Sequence, residues 1–275
     1  MKPARFDYVR ADDLAEVHAL LAEYGSEARI VAGGQTLLPM LSMRLVRPKM
    51  VIDIMHLPAL SSIVANDHDI RVGAGVRQAE LLRWPSLAKS LPLLAQALPW
   101  VGHAQTRSRG TVCGSVAHAD PSAEIPLALL ALEGAIELSS KRRRRRIAAS
   151  AFFTGTMTTA RSDDELIEAL VIPRRRPEHG YAFAEFGRRH GDFAIAACAA
   201  VCTRNRIRIA VGGVADRPVA HDFPLLDGEA LDHALDTLAW GLDARDDMHA
   251  TARYRRDLVR RMGRATIEEA LRCCG

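Results

Sequence analysis

A strand that runs without a spacer into a double glycine, and from there into a helix, constrains this chain more than any other stretch. Ala28-Arg29-Ile30-Val31-Ala32 reads as a short strand, Gly33-Gly34 follows directly, and Leu37, Leu38 and Leu41 recur at helical spacing. Pro48 interrupts the chain before Met50-Val51-Ile52-Asp53-Ile54, whose β-branched content predicts a buried strand. The segment is therefore a βαβ-like unit. Upstream, Leu14, Val17, Leu20 and Leu21 mark one face of a helix, with Asp12 as its expected N-cap.

The alternation Asp69-Ile70-Arg71-Val72-Gly73, preceded by the turn residues Asn66-Asp67, predicts a hairpin between Ile63 and Val76. Gln78–Leu82 and Pro92–Leu98 read as helices. Val101–Val116 is rich in Gly, Thr, Ser and Arg and has no helical period, so it reads as a long ordered loop. Asp120-Pro121 then offers an N-cap and a first-turn proline ahead of a buried helix over Ile125–Leu132, with Gly134 as its stop. Ala135–Leu138 and Arg146–Ala149 flank the run Lys141-Arg142-Arg143-Arg144-Arg145-Arg146, which reads as a solvated hairpin tip. Leu166–Ile172 is a further strand ending at Pro173.

A length of 275 residues is enough for roughly two domains of ordinary size. The boundary is expected in the basic, proline-bounded stretch Pro173–Pro177. Strands over Phe193–Val201 and Arg206–Val211 and helices over Leu231–Leu242 and Tyr254–Leu271 predict a smaller α+β domain beyond it.

Several functional classes are excluded at this level. The longest apolar run, Phe193–Cys202, is about half of what a membrane span needs. The first ten residues carry Lys2, Arg5, Asp7 and Arg10 and do not form a secretory signal, so cytoplasmic residence is expected. A net charge of +4, due largely to one local run, does not indicate a nucleic-acid binder. Cys113, Cys198, Cys202, Cys273 and Cys274 include no C-x-x-C pair, so a zinc or iron-sulfur site within this chain is not expected.

Two segments share one design: Ala32-Gly33-Gly34-Gln35-Thr36 and Thr111-Val112-Cys113-Gly114-Ser115 both combine glycine with a hydroxyl. Glycine admits positive φ, so successive N–H groups can converge on an anion, and the hydroxyls add donors. Two such loops suit a pyrophosphate, although a Gly-Gly between strand and helix serves equally as a plain turn. No Gly-Lys-Ser or Gly-Lys-Thr occurs, so neither is a nucleotide-triphosphate loop. Gly73-Ala74-Gly75-Val76-Arg77-Gln78 begins like a dinucleotide fingerprint but lacks its third glycine, and reads as structural. His103 and His118 flank the second loop with no nucleophile to partner them. Arg107 and Arg109 either offset phosphate charge or are solvated.

Four stretches, in order, carry a resemblance that covers nearly the whole chain: Ala32–Arg44 (AGGQTLLPMLSMR), Val101–Pro126 (VGHAQTRSRGTVCGSVAHADPSAEIP), Phe152–Gly155 (FFTG) and Arg188–Ala194 (RRHGDFA). The sequence resembles the FAD-binding medium subunits of molybdenum hydroxylases, the family of aerobic carbon monoxide dehydrogenase and xanthine dehydrogenase. The resemblance implies an α+β fold: a PCMH-type, vanillyl-alcohol-oxidase-like FAD-binding domain over residues 1–173, in subdomains of about 1–56 and 57–173, then a C-terminal domain of the carbon monoxide dehydrogenase flavoprotein type over 178–275. It implies that Ala32, Gly33, Gly34, Gln35 and Thr36, with Thr111, Val112, Cys113, Gly114 and Ser115, bind the FAD pyrophosphate. It further implies that Asp120 and Glu124 lie near the flavin ring and that Phe193 packs against it.

The same resemblance implies no catalytic residue and no metal in this chain. The molybdenum cofactor is expected in a large partner subunit and two [2Fe–2S] clusters in a small one, within a dimer of heterotrimers that passes electrons through FAD to an external acceptor. One departure stands out: the family's second loop reads Thr-Ile-Gly-Gly-Ser, and here Cys113 takes the first glycine's place. If positive φ is required there, cysteine costs about 1–2 kcal/mol and weakens flavin retention. A stand-alone flavin oxidoreductase of the same fold, or a binding module with a degenerate flavin site, are the rival readings.

Overall fold

The computed structural model describes residues 2–274; Met1 and Gly275, the outer limits of the two expected domains, lie outside the described residues. Strand β1 (Asp7–Arg10), helix α1 (Leu14–Tyr24), β2 (Ala28–Val31), α2 (Leu37–Ser42) and β3 (Met50–Asp53) form the first layer. β3 lies between β1 and β2, parallel to both, as a βαβ unit requires. Helix α1 is capped by Asp13, not Asp12: the Asp13 side chain accepts the Glu16 N–H at 2.9 Å, while the Asp12 N–H donates to the Glu16 carboxylate.

The second layer runs through β4 (Ile63–Ala65), β5 (Asp69–Gly73), α3 (Gln78–Leu82), α4 (Leu87–Ser90), α5 (Pro92–Ala97), α6 (Ala104–Arg109), α7 (Val112–His118), α8 (Glu124–Ala131), β6 (Ala135–Ser139), β7 (Arg144–Ala148), α9 (Ala149–Phe152), β8 (Phe153–Gly155), β9 (Thr158–Thr159) and β10 (Leu166–Pro173). Its sheet is antiparallel, in the order β4-β5-β10-β6-β7. The expected loop over Val101–Val116 is instead two short helices, α6 and α7, of six and seven residues. Two turns are too few to display a period in sequence, although α7 turns Val112, Cys113 and Val116 into the core behind its Thr111 cap. Asp120 does not cap α8. Its carboxylate closes a local turn by accepting the Ser122 N–H at 2.8 Å, and the helix begins at Glu124 after Ala123.

The basic run is only partly solvated. Glu165, 1% exposed, takes the Arg145 guanidinium on both carboxylate oxygens at 2.7 Å and lies 3.3 Å from Arg143, while Arg144 faces Glu168 at 3.4 Å. The Gly73-Ala74-Gly75 segment is structural: the Gly73 and Gly75 amides donate to Ser62 and Leu60, and a β-carbon on Gly73 would run into the Leu60 carbonyl.

The third layer is β11 (Gly180–Phe186), β12 (Ala196–Cys202), β13 (Arg206–Gly212) and β14 (Val219–Pro224), an antiparallel sheet in sequence order, followed by α10 (Gly228–Gly241) and α11 (Ala252–Arg272). Alternate residues serve opposite faces. Tyr181, Ala197, Ala199 and Ala210 join the large core that also contains α5, α7 and α8; Ala182, Cys198, Ile207 and Ile209 join a second core under α10 and α11.

Candidate functional site

The two glycine loops meet. Gly33, at the end of β2, packs so closely on the chain entering α7 that a β-carbon there would stand 2.6 Å from the Gly110 Cα and collide with the Arg109 carbonyl. Gly34 has φ +69°, which a side chain adopts only with strain. The pair thus does two jobs, close approach at Gly33 and a left-handed turn at Gly34. Beyond it the amides of Gly34, Gln35 and Thr36 find no acceptor among the described residues, and Thr36 occupies the N-cap of α2 without a side-chain capping bond. Gln35 donates its amide to the Gly33 carbonyl at 3.1 Å. Ala32 links β2 to the turn.

The second loop is more fully used by the protein itself. Thr111 Oγ1 accepts the Gly114 N–H at 3.0 Å, the Thr111 carbonyl takes Ser115 N–H, and Val112 N–H donates to the Val76 carbonyl. The Cys113 amide and the Ser115 hydroxyl have no partner among the described residues. Cys113 is helical, not at positive φ, so the anticipated backbone cost is absent. Its thiol is buried, faces the Val72 carbonyl at 3.5 Å and is pushed up to about 12 by that burial. Arg107 donates from Nη1 to the carbonyls of Pro99, Val101 and Gly102.

Helix α7 covers about 10 Å and leads from the loops to a cleft. It ends at Ala119, φ +53°, and the turn Asp120–Ser122 follows. The cleft has a volume of about 540 Å³ and is lined by Pro121, Ser122, Arg188, Asp192, Phe193 and Arg255 among others. Phe193 is 72% exposed at its rim, the most exposed Phe, Tyr or Trp ring among the described residues. The loop bearing it is pinned by the Trp100–His190 ring contact at 4.8 Å. Glu124 does not line the cleft; it is buried at the start of α8, 7% exposed.

Residues 4–175 match the FAD-binding domain in molybdopterin dehydrogenase, and residues 181–270 match the CO dehydrogenase flavoprotein C-terminal domain. The chain belongs to the FAD-binding medium-subunit family of the molybdenum hydroxylases. It is 37% identical to the 6-hydroxypseudooxynicotine dehydrogenase complex subunit alpha of Paenarthrobacter nicotinovorans, over 98% of this chain and 96% of that one. It is 39% identical to the nicotine 6-hydroxylase medium subunit of the same organism, over 89% and 90%. Its fold superposes on a chain of carbon monoxide dehydrogenase from Hydrogenophaga pseudoflava with a TM-score of 0.94 at 30% identity, covering 100% of both chains.

As a medium-subunit family member, the chain carries an FAD-binding domain, and both glycine loops fall within it. The residues fit a dinucleotide: a turn with free amides, hydroxyls at Thr36 and Ser115, and an exposed aromatic ring one short helix away. Sequence reasoning missed Arg255 and Glu185. Arg255 is buried on α11, donating to the Ile195 and Gly213 carbonyls and to Asp247. Its signal was a charge on the helix's apolar face, in line with Val259, Gly263 and Ile267. Glu185 follows Tyr181 and Phe183 on the inward side of β11, a charge where alternation calls for an apolar residue.

No helix among the described residues is long and apolar enough to cross a membrane, and none of their His, Cys, Asp and Glu groups forms a metal-sized cluster.

Proposed function

We propose that this chain holds FAD between Ala32–Thr36 and Thr111–Ser115 and relays electrons from the [2Fe–2S] clusters of a small partner subunit to an external acceptor. A large partner subunit carries the molybdenum cofactor and oxidises the substrate, in a dimer of heterotrimers. The observation that carries this reading is the close approach of Gly33 to Gly110, the residue that leads into the second loop, which brings both halves of the donor set together. FAD, when bound, supplies the link between one-electron and two-electron carriers.

The chain's own groups do the rest. The amides of Gly34, Gln35 and Thr36 and the hydroxyls of Thr36 and Ser115 donate to phosphate oxygens. Phe193 covers the ring against water, and Asp120, fixed by its bond to Ser122, presents a carboxylate near it. The division into residues 1–173 and 178–275 belongs to this reading and is supported by the limits of the two family matches, and the subdomains of about 1–56 and 57–173 are supported by their separate sheets. Five free thiols support a reducing, cytoplasmic setting. The nicotine-type substrates in the names of two relatives support a nitrogen heteroaromatic as the substrate class.

The test is to purify the chain together with its large and small partners and extract the bound cofactor. One FAD per medium subunit, lost in Gly34→Val, is the expected result; a complex without flavin overturns the reading.

A further inference from the structure

The ring of Phe193 is carried by residues 187–195, the connection from β11 to β12. The connection closes on itself where the Ile195 N–H donates to the Phe186 carbonyl at 2.8 Å and the Asp192 N–H to the Arg189 carbonyl at 3.1 Å. Arg188, Arg189, Asp192, Phe193, Ala194 and Ile195 line the cleft, while His190 and Gly191 do not. Those two rest instead on residues 99–103, the turn that leads into α6. Trp100 meets the His190 ring at 4.8 Å between centroids. A β-carbon on Gly191, φ +87°, would stand 2.7 Å from His103 Nδ1 and 2.8 Å from the Gly102 carbonyl oxygen, so no slack is left at that contact.

Two arginines fix this connection, one at its middle and one at its exit, and both do so by gathering backbone carbonyls. Arg107 of α6 draws those of Pro99, Val101 and Gly102 to its Nη1 at 3.3, 2.9 and 2.8 Å, and its backbone N–H donates to the His103 carbonyl at 3.0 Å. The seat of His190 and Gly191 is thereby knotted. Arg255 of α11, 5% exposed, brings the Ile195 and Gly213 carbonyls to its Nη1 at 2.7 and 2.5 Å and holds Asp247 with its Nη2. Gly213, φ +76°, packs on Ala194 and Ile195 and donates its N–H to the Pro121 carbonyl at 2.8 Å. Arg107 lies within the FAD-binding match and Arg255 within the C-terminal one. Burying a guanidinium against carbonyls is costly, and here the donors are used to hold the two parts of the chain to one loop.

We propose that Arg107 and Arg255 are positioning residues for Phe193, holding the 187–195 connection at two points so that the ring stays over the flavin. The proposal rests on the functional reading that flavin lies beside Phe193. A ring that stands in open solvent shields a cofactor only if its backbone is already ordered, because a drifting loop must be ordered anew each time the ring closes. Neither arginine needs to touch the flavin for this. Each acts through the seat or the exit of the loop.

Paired substitutions in the flavin-loaded complex of the chain with its large and small partners provide the test, with FAD release followed by the recovery of free flavin fluorescence. Arg107→Lys and Arg255→Lys keep the charge and lose the planar fork. Each should speed FAD release about tenfold, the scale on which members of one hydrogen-bonded network couple. In a Phe193→Ala background the same substitutions should add nothing, which a merely structural role does not produce. Gly191→Ala leaves both guanidinium groups in place and drives the connection off its seat. It should behave as the arginine variants do, and it decides the matter if either of them fails to assemble. Equal acceleration with and without the Phe193 ring, as general loosening or direct contact with phosphate would give, overturns the proposal, as does unchanged release in either arginine variant. Both of those results leave the flavin reading standing. A wild-type complex that holds no flavin overturns both.

Discussion

Gly33 and Gly110 lie in backbone contact, with room between them for a hydrogen but not for a methyl group. This single approach ties the parallel sheet to the helical segment that carries α7. Gly33→Ala should destabilise the chain by about 1–3 kcal/mol through overpacking and should empty the complex of FAD. Gly241→Ala, where nothing lies within 4 Å, is the control and should do neither. Thermal melts and flavin extraction read the two effects.

Cys113→Gly should not improve flavin binding. The residue is helical and its side chain is part of the core, so the substitution removes a packed group and adds helix flexibility, at a cost of about 1–2 kcal/mol. Denaturant midpoints should fall while FAD occupancy stays level. A rise in occupancy would restore the positive-φ explanation.

Phe193→Ala should separate stability from binding. The ring is so exposed that its loss should change unfolding free energy by no more than about 0.5 kcal/mol. FAD dissociation from the complex should nevertheless accelerate, as followed by recovery of flavin fluorescence.

The stability of the chain should fall as pH rises from about 5 to about 8. Glu124 and Glu185 hold their protons more tightly when folded than the ordinary carboxylate does, so the folded state carries more protons than the unfolded state over this window. Raising the pH through it favours unfolding. Glu185→Gln should flatten the dependence of melting temperature on pH and be the more stable form at alkaline pH. Parallel curves for wild type and variant would remove the premise.

Arg145→Ala should cost about 3 kcal/mol, because it strips the two-point contact from the buried Glu165 and leaves a carboxylate without its main partner. Arg142→Ala, at the exposed tip of the same run, should change nothing measurable in a urea titration.

Both the βαβ unit and the strand ending at Pro173 were legible in the sequence, because their apolar residues are clustered and bounded by Gly or Pro. Helices α6 and α7 were not, since α6 is six largely polar residues and the short apolar face of α7 is interrupted by Gly114 and Ser115. β14 was missed because it is an outer strand, half exposed and polar, with Ala-His-Asp at its centre. Within the site, the glycine loops announced themselves by composition. What composition could not tell is that Gly33 serves another backbone before any ligand, and that Thr111 already satisfies most of its own loop. Glu185 was invisible for a different reason: one acidic residue in an apolar strand acquires meaning only when the element across from it is known.

The four-stranded sheet is a party wall, fitted on one side to α5 and α8 and on the other to α10 and α11. A rearrangement that exchanged only the last portion between two relatives would import a wall cut for another household's helices. The two halves should therefore tolerate exchange only as a matched set.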